Sequence, residues 1–156
     1  MYMLIFNWFS GRHLHPQQLT IRCDADEVGD NLRLSITVEW FDTHQTIIVA
    51  HIGSGWGWST AQQARVTVQQ LAQSVSHPVA LIVVLPPDIS VPPNGFAENS
   101  KDALQQHVAA GLTAVVYVTN NPATQALWES VINMYASPTV QYAFAPNFQA
   151  AITILS

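Results

Sequence analysis

Charge is what this sequence has least of. Asp, Glu, Lys and Arg together make up 10% of its 156 residues, against about a quarter in ordinary soluble domains. The basic side chains number only five, Arg12, Arg22, Arg33, Arg65 and Lys101, and the formal net charge is −5. So few cations, so widely scattered, cannot form the stripe that tracks a phosphate backbone, which argues against a nucleic-acid partner. Cysteine is nearly absent as well. Cys23 stands alone, so neither an intrachain disulfide nor a multi-cysteine metal site can form. Long apolar runs are missing too. The opening MYMLIFNWFSG is far shorter than a membrane span and lacks a basic leader with a small-residue cleavage site. A soluble, cytoplasmic chain without membrane insertion is the expectation.

What the chain does have is hydrophobic residues, at 49%. Its length suffices for one domain with its own core. With so little charge, Gln, Asn, Ser and Thr must carry much of the solvated surface. Apolar surface is then less well defended, which leaves room for a homodimer.

The hydrophobic residues are arranged as alternating strands and helices. Residues 32–40, LRLSITVEW, place Leu32, Leu34, Ile36, Val38 and Trp40 on one face, the period of a half-buried strand. FDTHQ reads as a turn and TIIVAHI as the returning arm of an antiparallel hairpin. The runs VALIVVL (79–85) and LTAVVYV (112–118) are apolar without alternation, as strands covered on both faces should be. TVQYAF (139–144) completes the set of strands. Between them, helices are expected over 61–75, with Ser59 or Thr60 as cap, and over 101–111, with Gly111 as the C-terminal stop. A third helix opens at TNNPATQ and carries Leu127, Val131, Ile132 and Tyr135, and residues 147–155 read as a short fourth. On it and its neighbour, Trp128, Met134 and Tyr135 look like one core stripe, and Phe148, Ile152 and Leu155 look like another. The expected fold class is α/β, a mixed and mostly parallel sheet with an N-terminal antiparallel hairpin and helices packed on it. Residues 1–31 differ in character and are read as an N-terminal extension preceding a domain of 32–156. The extension is either an edge hairpin or a loosely attached arm, with the hairpin favoured because Phe6, Trp8 and Phe9 are costly to leave in water.

The strand end LIVVLPPDISV, with Asp88, Ile89 and Ser90, resembles the apolar strand ending in Asp-Leu-Ser-x-Val of the STAS domain, the fold of bacterial anti-sigma-factor antagonists. The Trp pair in GWGWST, the Ser-His-Pro-Val that leads into the next strand, and the terminal FAPNFQAAITIL are similar to small bacterial proteins on that fold. The resemblance covers about residues 32–155. It implies a non-enzymatic protein-interaction module in bacterial regulation, with an anti-sigma or kinase-like partner. In the phosphorylated antagonists a target serine opens the next helix; here the region reads NGFAENSKDAL, which makes Ser100 the first phospho-acceptor candidate and Ser90 the second. Lys101 and Asp102 replace the small residue and glycine of that pattern.

Other chemistries fit less well. Gly53 and Gly55 begin a dinucleotide fingerprint, but Trp58 stands where its third glycine belongs, so GSGWGWST reads as a turn anchored by two Trp side chains. His13 and His15 have the spacing of metal ligands on one strand but no clear third ligand beyond Asp24 or Asp26, so no metal and no other cofactor is expected. His51 and His107 read as satisfied polar positions and His44 as a solvated turn residue. Ser54 lacks the flanking pattern of a nucleophile elbow, and the carboxylates are scattered, so catalytic residues are not assigned.

Location supplies the remaining candidates. In open α/β sheets, ligands sit beyond the carboxyl ends of the strands. There the sequence gathers Asp88, Ser90, Asn94, Asn99, Ser100, Asn120 and Asn121 as a partner or ligand loop, with helix capping by Asn99 or Ser100 and by Asn120 or Asn121 as the competing explanation. Two alternatives to the interaction module stay open: a small-molecule or lipid-binding module with its ligand between helix and sheet, and a homodimeric structural protein.

Overall fold

The structure, a computed structural model, describes residues 36–87 and 94–156. Within them, β1 (Ile36–Trp40) and β2 (Ile47–Ile52) form the antiparallel hairpin, with Ile36 opposite Ile52 and Trp40 opposite Ile48. The turn between them is held by Asp42, whose carboxylate accepts from Thr46 N at 2.9 Å, Thr46 Oγ1 at 2.6 Å and Ile47 N at 3.0 Å. Burial, the largest single influence, raises the Asp42 pKa, but the hydrogen bonds together outweigh it and the group sits below its ordinary value. Gln45 closes the turn with φ of 57°, a left-handed conformation that a residue with a Cβ adopts at a cost.

After the hairpin, α1 (Trp58–Gln73), β3 (Val79–Val84), α2 (Phe96–Ala109), β4 (Leu112–Val118), α3 (Pro122–Tyr135), β5 (Gln141–Ala145) and α4 (Phe148–Leu155) follow in turn. The strands lie in the order β1-β2-β3-β4-β5, antiparallel at the first pair and parallel at the other three. This is the α/β layout expected, a mixed and mostly parallel sheet. Each parallel connection steps to the next strand in the same direction. Right-handed crossovers therefore deliver α1, α2 and α3 to one face. That face holds the larger core, built on Val38, Ile48, Leu81, Val115 and Tyr117 with Val68 and Trp128 from the helices. The opposite face is covered by α4, through Phe148, Ala151, Ile152 and Leu155 against Val49, Ile82, Val116 and Ala145. The return of these last residues to the sheet agrees with the sequence.

Several boundaries move. Helix α1 begins at Trp58 with Gly57 as its cap residue, so Ser59 and Thr60 lie in the first turn instead of capping it. Helix α2 begins at Phe96, not Lys101, because Asn94 (φ 66°) and Gly95 (φ 77°) turn the chain and let the helix start there. Asn99 and Ser100 are consequently helical residues and not its caps. Asn121 does cap α3, its Oδ1 accepting from Ala123 N and Thr124 N, with Pro122 in the first turn. Gly111, with φ of 73°, ends α2 as read.

The stripe on α3 is only half right. Trp128 is buried, but Met134 is 72% and Tyr135 40% exposed. At about 100° per residue Met134 lies on the flank of the buried side, about 60° round from Val131 and about 120° from Trp128. Tyr135 shares that side but is the last helical residue, beyond the cover of the sheet, with Lys101 Nζ 5.6 Å from its ring centroid. No helix among the described residues is long and apolar enough to cross a membrane. The two readings of residues 1–31 lie outside the described residues, as do His13, His15, Asp24 and Asp26.

Candidate functional site

Between the sheet and helices α1 and α2 lies a cavity of about 80 Å³. It exists because small residues face it. Ala50 on β2, Ala61 and Ala64 on α1, Ala103 on α2 and Ala110 just after it occupy positions where longer side chains would close the space. Its walls are aromatic. Trp56 and Trp58 meet edge-on with ring centroids 4.9 Å apart, Phe96 sits 5.4 Å from Trp128, and Trp128 stacks on Tyr117 at 5.2 Å. The rings tie β4, the α1 start and the α2 start into one frame. Trp58 fixes the frame further by donating from Nε1 to the Asn94 carbonyl at 2.8 Å.

Polar groups enter from one side. Arg65 Nε donates to Gln106 Oε1 at 2.7 Å, and its Nη2 donates to Gln62 Oε1. Gln106 Nε2 reaches the same Gln62 oxygen at 3.3 Å and closes the triangle. The guanidinium is thus held by two neutral amides that bridge α1 and α2. Burial lowers its pKa, and Asp102 and Tyr117 oppose that shift electrostatically. No carboxylate among the described residues lies within ion-pair distance of it. His107 is buried and pairs through Nδ1 with the Tyr142 hydroxyl at 3.0 Å. Burial, and to a lesser degree the charge of Arg65, drops its pKa to about 4, so the imidazole is neutral at pH 7. Burial drives Tyr117 far above the ordinary phenol value and pushes Tyr142 up to about 12.

The residues singled out from sequence fall in several places. Asn99 lines the cavity and donates from Nδ2 to the Gly95 carbonyl at 2.8 Å. Asn94 is exposed and contributes its carbonyl to Trp58. Asn120 lines a broad open groove of about 400 Å³ at the carboxyl ends of β4 and β5, together with Thr119, Gln125 and Glu129. Asn121 is occupied as a cap. Asp88 and Ser90 lie outside the described residues. Ser100 is 0% exposed in the second turn of α2, and its hydroxyl has no hydrogen-bond partner among the described residues. In this conformation a kinase cannot reach it. Among the described residues, Asn99 thus lies at the cavity, Asn120 at the groove, and Asn121 at the start of α3.

Of the two hollows, the smaller is the better candidate. The groove beyond β4 and β5 is wide and shallow, and Asn121 N already uses the Thr119 hydroxyl at 3.1 Å. The cavity is partly open, lined largely by apolar side chains with several aromatic rings, and holds a cation in that setting, the combination that orients a small ligand.

Sequence reasoning passed over Arg65, Gln106, Tyr117 and the cavity face of His107. One signal was available for Arg65. It sits at helical spacing with Ala61, Ala64, Val68 and Ala72, the inward face of α1, where a charged side chain is unusual. His51 is exposed, with its ring 6.5 Å from Phe148, and His44 is exposed in the turn. Among the described residues no three His, Cys, Asp or Glu side chains are grouped as a metal site would need. Comparison with known proteins finds no matching family model, no similar curated protein and no similar solved structure.

Proposed function

We propose that this chain is a non-catalytic binding domain that holds a small molecule in the cavity between α1, α2 and the sheet. The observation that carries the reading is a walled space of about 80 Å³ with Trp56, Trp58, Trp128 and Tyr117 around it and Arg65 at its side. Left empty, such a void costs stability, about 2 kcal/mol at ~24 cal/mol per Å³. An occupant recovers part of that. Size limits the occupant: the cavity is about half of the ~150 Å³ that admits benzene, so a long acyl chain does not fit. The chemistry of the lining favours holding a ligand over transforming it. Arg65 keeps its proton, Tyr117 is held as the phenol, and His107 has committed Nδ1 to Tyr142.

Xenon tests the reading directly, because it enters dry apolar cavities. Xenon added to ¹⁵N-labelled protein should shift the amide resonances around Ala103 and Ala110, and the Ala103→Leu variant, which fills the space, should lose the shifts. Equal shifts in both proteins, or none in either, would sink the proposal.

A second reading is the regulatory interaction module that the STAS resemblance implies, with a protein partner meeting the 86–100 loop and α2. It is favoured by the exposed apolar side chains of Val108 on α2 and Met134 and Tyr135 on α3. Its phosphoserine form would have to use Ser90, or open the first turns of α2 to release Ser100. Phosphorylation mapped by mass spectrometry on protein from its own host decides this: phosphate on neither serine ends the switch.

A further inference from the structure

We infer that the cavity takes a short-chain aliphatic monocarboxylate, with its carboxylate on Arg65 and its alkyl tail among the Trp rings. The inference rests on the cavity being a ligand site, as proposed above, and adds the chemical class.

Arg65 is the reason for the carboxylate. A guanidinium carries five N–H donors, and the two glutamines take one from Nε and one from Nη2. Three remain, enough for the paired hydrogen bonds that a carboxylate accepts from an arginine. The Gln62–Gln106 triangle holds the planar group in place before any ligand arrives. A half-buried cation with only neutral partners is an incomplete arrangement, since charge removed from water normally meets a counter-ion. No described carboxylate meets it. Asp102 acts only at longer range, by raising the Arg65 pKa.

Charge and size narrow the class. Arg65 is the only cation lining the cavity among the described residues, since His107 is neutral. A singly charged anion is balanced by it, whereas a phosphate dianion is not. The remaining walls are mostly alanine, valine, leucine, isoleucine and indole, with neutral His107 and with Asn99, whose Nδ2 is given to the Gly95 carbonyl, so they reward an alkyl tail. A volume of about 80 Å³ admits acetate or propionate and excludes fatty acids.

The test compares sodium propionate with propionamide, its neutral isostere, on unaltered protein at neutral pH, with sodium chloride matching the ionic strength. The readout is the indole N–H resonances of Trp56 and Trp58. Propionate should shift them saturably, and propionamide should bind about tenfold or more weakly, the loss expected for a charge-assisted hydrogen-bonded pair. In Arg65→Gln the two affinities should converge. If propionamide matches propionate in the unaltered chain, the carboxylate class is overturned while the cavity remains a ligand site. If neither compound moves the indoles and xenon leaves the amides of Ala103 and Ala110 unmoved, the cavity reading falls and takes this inference with it. Xenon entry without propionate binding overturns the inference alone.

Discussion

The Nδ1 of His107 on α2 lies 3.0 Å from the hydroxyl of Tyr142 on β5, the histidine buried beside the cavity and the tyrosine half-buried. The pair crosses from a helix to the edge strand of the sheet. In the fold burial holds the His107 pKa down at about 4, and in the unfolded chain it returns to about 6.5.

Acid should therefore destabilise this protein through one residue. Between about pH 6.5 and pH 4 the unfolded chain binds the His107 proton and the folded chain does not, so stability falls as pH falls through that window. Above it His107 contributes no slope, and below it the loss is complete. The full effect is about 3 kcal/mol, from ~1.4 kcal/mol per pKa unit. Urea unfolding at several pH values should show this slope in the unaltered protein and a flatter one in His107→Gln, which keeps an amide to meet Tyr142. Parallel curves for the two proteins would show that His107 is not the group responsible.

Ser100 is buried with an orphaned hydroxyl, and that makes its substitutions asymmetric. Ser100→Ala removes a desolvated polar group that has no partner, so it should leave stability unchanged or raise it by up to about 1 kcal/mol. Ser100→Asp places a carboxylate in the same space and should cost about 3 kcal/mol or more. Thr124, also buried with a free hydroxyl, should tolerate Val for the reason that Ser100 tolerates Ala. Thermal melts of the three variants are the check. A destabilised Ser100→Ala would mean that the hydroxyl has a partner after all. The aspartate is consequently a poor mimic of phosphorylation here, because its effect on folding would obscure any effect on a partner.

The strands were legible because their signal is local. Alternation over Ile36, Val38 and Trp40 and the unbroken run around Leu81 to Val83 each fix a strand and its burial. Helix starts were less so. Asn99-Ser100 looks like a cap by residue type, yet the left-handed turn at Asn94-Gly95 starts α2 earlier, and Asn99 then folds its amide back onto the Gly95 carbonyl. The cavity was not legible at all. It is made by what Ala61, Ala64, Ala103 and Ala110 do not fill, and alanine is also simply a good helix former. Only Arg65 carried a trace of it, as a charge on an apolar helix face. Its meaning depends on Gln106 and Tyr117, both far away in sequence.

Gln45 offers a gain in stability. Its φ of 57° is the left-handed region that glycine adopts without a Cβ penalty, and its side chain is exposed, so glycine loses no packing there. Gln45→Gly should stabilise the β1–β2 hairpin by about 0.5–1 kcal/mol, the left-handed cost less the added chain entropy. Asp42→Ala in the same turn should act oppositely, losing three hydrogen bonds at about 1–2 kcal/mol in all. The two changes share one short turn and need not add. Opposite shifts in the urea midpoint, with unchanged slope, are the expected outcome.

Trp58 should matter more to the mouth of the cavity than to the core. Its ring packs on Trp56 and Phe96, and a phenylalanine can keep much of that contact, but not the Nε1–H donated to the Asn94 carbonyl. That bond links the first residue of α1 to the turn that starts α2. Adding a methyl group at Gly95 attacks the same turn differently: φ is 77°, and a Cβ would stand 2.8 Å from Asn99 Nδ2. Trp58→Phe should cost about 1 kcal/mol, and Gly95→Ala about 1–2 kcal/mol from the left-handed backbone and the displaced amide. Both should speed hydrogen exchange in the first turn of α2, at Asn99 N above all, while leaving β3 and β4 protected. Uniform acceleration across the sheet would mean instead that the turn is part of the global core and that the mouth has no independent motion.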